Sequence, residues 1–325
     1  MIQLKVVPIV CTVLATSASI ATAHAQQYPS APVRVLCGFA PGGSTDAAAR
    51  LASKWLSQEL KQSFVVENKV GANGLVSIQT LKSSKADGYT LMMASAGSMT
   101  ITPAAKRNVG YKPLEDFTPI AIVGWYPYAL VTRPSFPAND TAGLVDYAKK
   151  HPGKVSYGSA GIGSTNHLAG EWFAKLTGTS MNHIAYKGDS PAVTDLLADR
   201  LDVFFMTPSV AMPHVKANKL KLLGSTASGV SPLIEGEKRM VSSTVPGFEM
   251  GSWLGLVGPA GMSPDLVIKL NKVLNDAMRR PEAKAEMLAA GLVPVIVTPA
   301  EFKARISSEL NQWTNIARTS RIEID

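Results

Sequence analysis

Cysteine is almost missing from this chain, with Cys11 and Cys37 the only two among 325 residues. Cys11 falls in a segment read below as a removable leader, so the working chain keeps one thiol and has no intrachain disulfide. Stability must then come from burial, for which a hydrophobic fraction of 46% is ample. Cys37, in a strand-like run, is expected to be an inert buried thiol. The five histidines, His24, His151, His167, His183 and His214, show no close spacing with cysteines or carboxylates, so neither a metal nor another cofactor is expected. No G-x-S-x-G elbow occurs and no small-residue loop carries the lysine of a P-loop, which leaves the common signatures of a hydrolase or a nucleotide site unfilled. The net charge of +8 is scattered. Without a basic run interleaved with aromatics there is no nucleic-acid surface, and mild steering of anions is the economical reading.

Long hydrophobic runs are missing too. Met1 to Ala25 has one basic residue, Lys5, an apolar stretch from Val6 to Leu14, and small residues ending in Ala23-His24-Ala25. That is the pattern of a secretory signal peptide cleaved after Ala25, and its apolar part is too short for the roughly 20 residues of a membrane span. Val10 before Cys11 argues against a lipoprotein site. The mature chain is expected to start near Gln26, outside the cytoplasm, with a formal charge of +7 once Lys5 is gone. Its length suits about two domains.

What is present centres on Phe39-Ala-Pro-Gly-Gly-Ser-Thr-Asp46, between the apolar run Val33 to Phe39 and a helical pattern with Ala48, Leu51, Ala52, Trp55, Leu56 and Leu60 on one side. A strand, a glycine turn and a helix start in that order aim unpaired backbone N–H groups and the positive end of the helix dipole at one point, which makes an anion seat. Gly42 and Gly43 keep Cβ atoms out of the way, and Ser44 and Thr45 add hydroxyls. The seat carries no charge, which suits a carboxylate held reversibly. Ser, Thr and Asp are also preferred helix caps, and Asp46 reads better as a helix-start residue than as a ligand contact. A second copy strengthens the binding reading: Gly158-Ser-Ala-Gly-Ile-Gly-Ser-Thr-Asn-His167 follows the short run Val155 to Tyr157 and opens a helix that buries Leu168, Trp172, Phe173 and Leu176.

Strands and helices alternate around these two loops, which predicts parallel α/β sheets with helices on their faces. Expected strands include Phe64 to Glu67, Tyr89 to Ala94, Met181 to Ala185, Leu201 to Met206 and Leu220 to Gly224. The stretch Ser95 to Thr100 reads as a small-residue loop at a strand's C-terminal end, where open α/β sheets bind ligands. The chain is expected to cross into a second lobe within Phe117 to Arg133, through the pieces Ile120 to Val123 and Tyr128 to Thr132. It returns around Glu249 to Val257 through Trp253, which is a candidate ligand contact there. Ser190 is the expected cap of a helix with Pro191 in its first turn, and three helices close the chain, the last opened by a capping box at Thr298 to Glu301. A lobe made from both chain ends and a lobe made from the middle form a clamshell, with lobe 1 at 26–128 plus 249–325 and lobe 2 at 129–248.

Several motifs carry a family resemblance when taken in order: Tyr28-Pro-x-x-Pro-Val-Arg, Phe39-x-Pro-Gly-Gly-x-x-Asp, Val66-Glu-Asn, Gly71-Ala-Asn-Gly and Asp87-Gly-Tyr-Thr-Leu. They continue with Tyr157-Gly-Ser-Ala-Gly-x-Gly-Ser-Thr-x-His167, Tyr186-Lys-Gly and Pro246-Gly-Phe. Over nearly the whole mature chain the sequence resembles the Bug-type periplasmic receptors of tripartite tricarboxylate transporters. The resemblance implies a two-lobed type II periplasmic binding-protein fold, acting as a monomer, that closes on a small organic anion and delivers it to a membrane permease. It implies ligand contacts at Phe39, Ala40, Gly43, Ser44 and Thr45 in the first lobe, and at Ser159, Ser164, Thr165 and His167 in the second. Ser95 and Ser98 would line the cleft, Tyr186 would join it, and Lys187 could face the ligand or pair with a surface acid.

One departure from the family pattern bears on the ligand. Many relatives carry an Asp after the Phe-rich strand, where this chain reads Phe205-Met206-Thr207. With Met206 and Thr207 in that lining, selection for ligands with an amino group is expected to weaken, which favours a dicarboxylate, a tricarboxylate or an aromatic acid. Two other functions stay open at this stage: a ligand sensor for a membrane signalling partner, and a periplasmic α/β enzyme in which His167 serves a serine nucleophile.

Overall fold

The computed structural model describes residues 28–71, 74–106, 108–186, 188–234 and 240–319. The expected signal peptide and Lys187 lie outside the described residues. Ten strands form two five-stranded sheets. The first is built from β1 (Val33–Cys37), β2 (Phe64–Asn68), β3 (Thr90–Ser95), β4 (Phe117–Pro127) and β10 (Gly251–Pro259), in the order β2-β1-β3-β10-β4. The second holds β5 (Ala129–Thr132), β6 (Val155–Ser159), β7 (Met181–Ala185), β8 (Val203–Met206) and β9 (Lys221–Ser225), in the order β7-β6-β8-β5-β9.

β2-β1-β3 and β7-β6-β8 pair in parallel, and in each sheet one strand, β10 in the first and β5 in the second, runs antiparallel to both of its neighbours. Parallel neighbours need helical crossovers, and these bring the helix that follows each first strand over its sheet. The helix Ser44–Leu60 buries Ala48, Ala49, Ala52, Trp55 and Leu56 against the first sheet. Thr165–Thr177 does the same with Leu168, Trp172 and Phe173 on the second. Burying one side chain of Leu or Phe size stabilises the packing by roughly 1.5–3 kcal/mol. Consequently the two glycine loops sit at the C-terminal ends of β1 and β6, which face one cleft.

The sheets are joined where β4 passes into β5 at Tyr128 and where the chain returns to β10. Thr226 fastens the two crossings. Its hydroxyl accepts the Tyr128 N–H (2.7 Å) and donates to the Met250 carbonyl (2.6 Å), while the backbone N–H of Met250 reaches the Thr226 carbonyl (2.9 Å). The C-terminal helices pack on the first sheet, and the capping box of the last one, Pro299–Thr319, is formed as the sequence predicts. The Glu301 carboxylate accepts the Thr298 N–H at 2.7 Å and the Thr298 hydroxyl accepts the Glu301 N–H at 3.2 Å.

Four local expectations need correction. Ser95 to Thr100 is not a loop: the chain turns directly into a helical segment, Gly97–Ile101, because Ser95 and Ser98 pair reciprocally and hold the strand end against the helix start. The two strand pieces expected at the first crossing are both present, but the first is longer than read: β4 runs for eleven residues because its pairing with β10 carries the whole of it. Asp189, not Ser190, opens the helix Asp189–Leu197, with Gly188 as its N-cap. Trp253 is fully buried away from the cleft: its indole N–H donates to Glu309 at 2.8 Å and its ring meets Phe302 edge-on at 4.9 Å.

Candidate functional site

The first glycine loop is held open from behind. Gly42 takes a φ of +87°, which favours glycine, and its N–H donates to Asp46 Oδ2 at 3.0 Å. The same buried carboxylate accepts Arg50 Nε at 2.8 Å and Asn68 Nδ2 at 2.9 Å, and Asn68 also ties down the Phe39 carbonyl at 3.0 Å. Burial alone would raise the Asp46 pKa, but the hydrogen bonds from Arg50, Gly42 and Asn68 outweigh it and hold the pKa below the ordinary carboxylate value. Asp46 is thus the brace of the loop. Gly43 sits at the N-cap with no side chain capping the helix, so the first N–H groups of Ser44–Leu60 are left for a ligand.

The second loop is built differently. Ser164 caps its helix, accepting the His167 N–H at 3.4 Å and donating to the Gly161 carbonyl at 2.7 Å. Gly163 N–H donates to His167 Nδ1 at 3.0 Å, and the His167 ring stacks on His183 at 3.9 Å. Ser159 Oγ lies 2.7 Å from His183 Nε2 and bonds Gly161. Burial lowers the pKa of both rings; His183, with His167 beside it as a further cause, is pushed down to about 4. Both are neutral at pH 7, which leaves His167 Nδ1 its lone pair for the Gly163 N–H.

Between the loops lies a cleft of about 400 Å³. Of the residues expected at the ligand, Phe39, Gly43, Ser44, Thr45, Ser95, Ser98, Ser164, Thr165 and Thr207 line it. Five expected contacts do not. Ala40 is exposed outside the lining. Ser159 and His167 are spent on holding the second loop, Tyr186 turns away to bond Asp195 at 3.0 Å, and Met206 is buried in the core of the second sheet because strand alternation points it inward. His167 is not placed to serve Ser164 as a base: its Nδ1 already accepts the Gly163 N–H, and the Ser164 hydroxyl already donates to the Gly161 carbonyl.

Sequence reasoning missed part of the wall. Tyr126 and Tyr128 stand edge to edge with ring centroids 5.6 Å apart, and burial raises both phenol pKa values above 10. Both rings line the cleft with Ser252 of the first sheet and Thr165 of the second, so hydroxyls from both sheets meet on this wall. The signal was the Tyr-Pro-Tyr run at the first crossing, whose period of two puts both rings on one side. Asn166 and Asp189 also line the cleft, joined by a 3.2 Å bond. Ser209 and Val210 come from a helix, Pro208–Lys216, that the sequence reading did not name. At Gly97 the two sides of the cleft come close: a Cβ there would lie 3.3 Å from the Thr165 hydroxyl oxygen. Another cavity of about 440 Å³ lies behind the crossings, between Glu249, Arg305 and Trp313, and neither glycine loop lines it.

Two α/β sheets of this strand order, with helix starts and hydroxyls converging on the cleft between them, define a two-lobed periplasmic solute-binding protein of the type II topology. The family profile described as the tripartite tricarboxylate transporter family receptor matches residues 48–321, and the chain belongs to that family. It is 32% identical over 306 residues to the protein BugT of Bordetella pertussis, covering 94% of each chain. Among solved structures it is similar to the periplasmic binding protein BugD, with a TM-score of 0.77 and 30% identity over 91% of this chain and 99% of that one. It is also similar to an R. palustris protein solved with adipate, with a TM-score of 0.81 and 28% identity over 91% of this chain and 99% of the other. MatC from Rhodopseudomonas palustris, solved with malate, is 26% identical with a TM-score of 0.77, over 89% and 99% of the two chains. The chain is therefore a carboxylate-binding receptor of the periplasm, from a family that works with transporter membrane components.

Proposed function

We propose that this receptor captures a small organic carboxylate in the cleft and hands it to the permease of a tripartite tricarboxylate-type transporter, acting as a monomer and without catalysis. The observation that carries this reading is the uncapped start of Ser44–Leu60 opening into a cleft shared by both sheets. One carboxylate sits on the N–H groups and hydroxyls of Ser44 and Thr45, and Thr165 and the tyrosine pair meet the ligand from the other side. The adipate and malate in the two relatives' structures support a ligand of this size and charge.

Closure is a hinge motion at 127–132 and 249–255, between lobes at 26–128 plus 249–325 and 129–248. A ligand favours the closed form only through contacts made with both lobes. The leader ends at Ala25, so the working receptor begins near Gln26. The test is thermal unfolding of the mature protein, freed of carried-over ligand by refolding, against mono-, di- and tricarboxylates, aromatic acids, amino acids and sugars. A ligand at about 100 times its Kd adds roughly 2.7 kcal/mol, a clear upward shift of the midpoint. A response to sugars alone, or to no carboxylate-bearing compound, would remove the assignment.

A further inference from the structure

The cleft wall contains an asymmetry of charge. Among the described residues lining it there is no lysine, arginine or histidine, and Asp189 is the one carboxylate. Asp189 opens the helix Asp189–Leu197 from the second sheet's side, where its Oδ1 accepts Asn166 Nδ2 at 3.2 Å. Asn166 is itself fixed, since the same amide nitrogen donates to the Phe205 carbonyl at 3.1 Å. No ion pair holds Asp189 among the described residues. The residue is exposed to the cleft, whose wall it shares with Tyr126 and Tyr128, and desolvation by the surrounding protein raises its pKa above the ordinary carboxylate value despite the Asn166 bond.

An unpaired carboxylate in a site that binds a carboxylate has a chemical consequence. The helix start at Ser44 offers partial positive charge to one anionic group. A second carboxylate on the ligand would be brought towards Asp189 with no side-chain cation among the described lining residues to offset the repulsion. A ligand cation would remove it instead. The loss of an acid at Met206 therefore does not leave the cleft without one: Asp189 supplies it from the neighbouring helix.

Resting on the carboxylate reading above, we propose that the ligand is a zwitterion, a small amino carboxylate whose carboxylate sits on the Ser44–Thr45 helix start and whose ammonium group is received by Asp189. Asn166 orients the acceptor and the tyrosine pair shields the interaction from water. Asp189 acts here as the residue that selects amino acids over diacids of the same length.

The experiment is calorimetric titration of the refolded mature protein with matched probes: 6-aminohexanoate against adipate, 5-aminopentanoate against glutarate, and L-α-amino acids against their 2-hydroxy counterparts. The expected result is that at least one amino carboxylate binds about tenfold or more tighter than its matched diacid or hydroxy acid, a difference of about 1.4 kcal/mol. In Asp189→Asn and Asp189→Ser, that preference collapses or inverts in favour of the diacid. The wild-type panel decides the matter alone if neither variant folds. Tighter binding of the diacids or hydroxy acids by the wild type overturns the zwitterion while leaving the carboxylate site intact. So does an unchanged preference in the variants with only a lower unfolding midpoint, which would make Asp189 a helix-start acid and no more. Binding of nothing that bears a carboxylate would instead remove the functional reading itself.

Discussion

At the level of single residues, the two glycines of the first loop have different jobs. Gly42 is required by its backbone, with a φ of +87°. Gly43 has an ordinary extended backbone, and a Cβ there would meet only the Ala40 carbonyl oxygen, at 3.8 Å. Its hydrogen matters for access to the N–H groups. Gly43→Val is therefore expected to abolish ligand binding in calorimetry while leaving the unfolding midpoint in place; undiminished affinity would move the carboxylate away from this helix. The buried histidine pair gives a second expectation. The unfolded His183 ring takes up its proton near 6.5 and the folded ring only near 4. Between those values the unfolded state binds more protons, so the stabilisation is fully present above 6.5 and is lost as the pH falls towards 4. Urea unfolding across pH 4 to 7 should show this slope, and His183→Phe should flatten it.

Among the elements, the contrast between the two loop helices is informative. Both begin with Gly-Ser-Thr, and the sequence reading treated them as equal donors. In the structure the first is uncapped and the second is capped by Ser164, whose hydroxyl is engaged as donor and acceptor. The difference comes from what stands behind each loop: Asp46 and Asn68 brace the first from below, whereas the second folds back on itself through Gly161 and His167. Ser164→Ala alone should cost about 0.5–2 kcal/mol of stability through the lost cap. Together with Thr165→Ala it should weaken binding by about 1–3 kcal/mol, read by titration, and a change within error would place the ligand off this helix. Asp46 stands in the first helical turn, as its place in the sequence predicts, but its reach to Gly42, Arg50 and Asn68 spans a strand and a turn that sequence spacing does not connect.

For the whole molecule, two chain segments cross between the sheets and Thr226 couples them. The cleft lining comes from both sides, with Gly97 close to Thr165 and with Ser252, Tyr126, Tyr128 and Thr165 along one wall. A ligand held by both halves should draw them together. Small-angle scattering of the refolded protein is expected to show a smaller radius of gyration on adding a ligand that shifts the unfolding midpoint; an unchanged radius would argue that binding needs no closure. On the far side, Trp172 of the second lobe's loop helix meets Trp313 of the last helix at 5.7 Å.

The alternation of strands and helices, the two glycine turns, the crossing near Tyr128 and the helix caps were legible in the chain, because each depends on residues within one or two turns of one another. Phe39, Ser44, Thr45 and Thr165 could be named for the same reason: a strand end, a glycine turn and a helix start place them locally. Which hydroxyls stay free, and which acid stands in the cleft, depended on groups far apart in sequence. Met206 and Asp189 show it best. One follows a Phe-rich strand and looks exposed to a ligand, yet the pleat of β8 turns it into the core. The other opens a helix, an ordinary place for an acid, and faces the ligand space only because the second sheet brings that helix start up beside Asn166 and the tyrosines of the crossing. Local spacing dictates the elements; the direction a side chain takes once two sheets are brought together is a property of their packing.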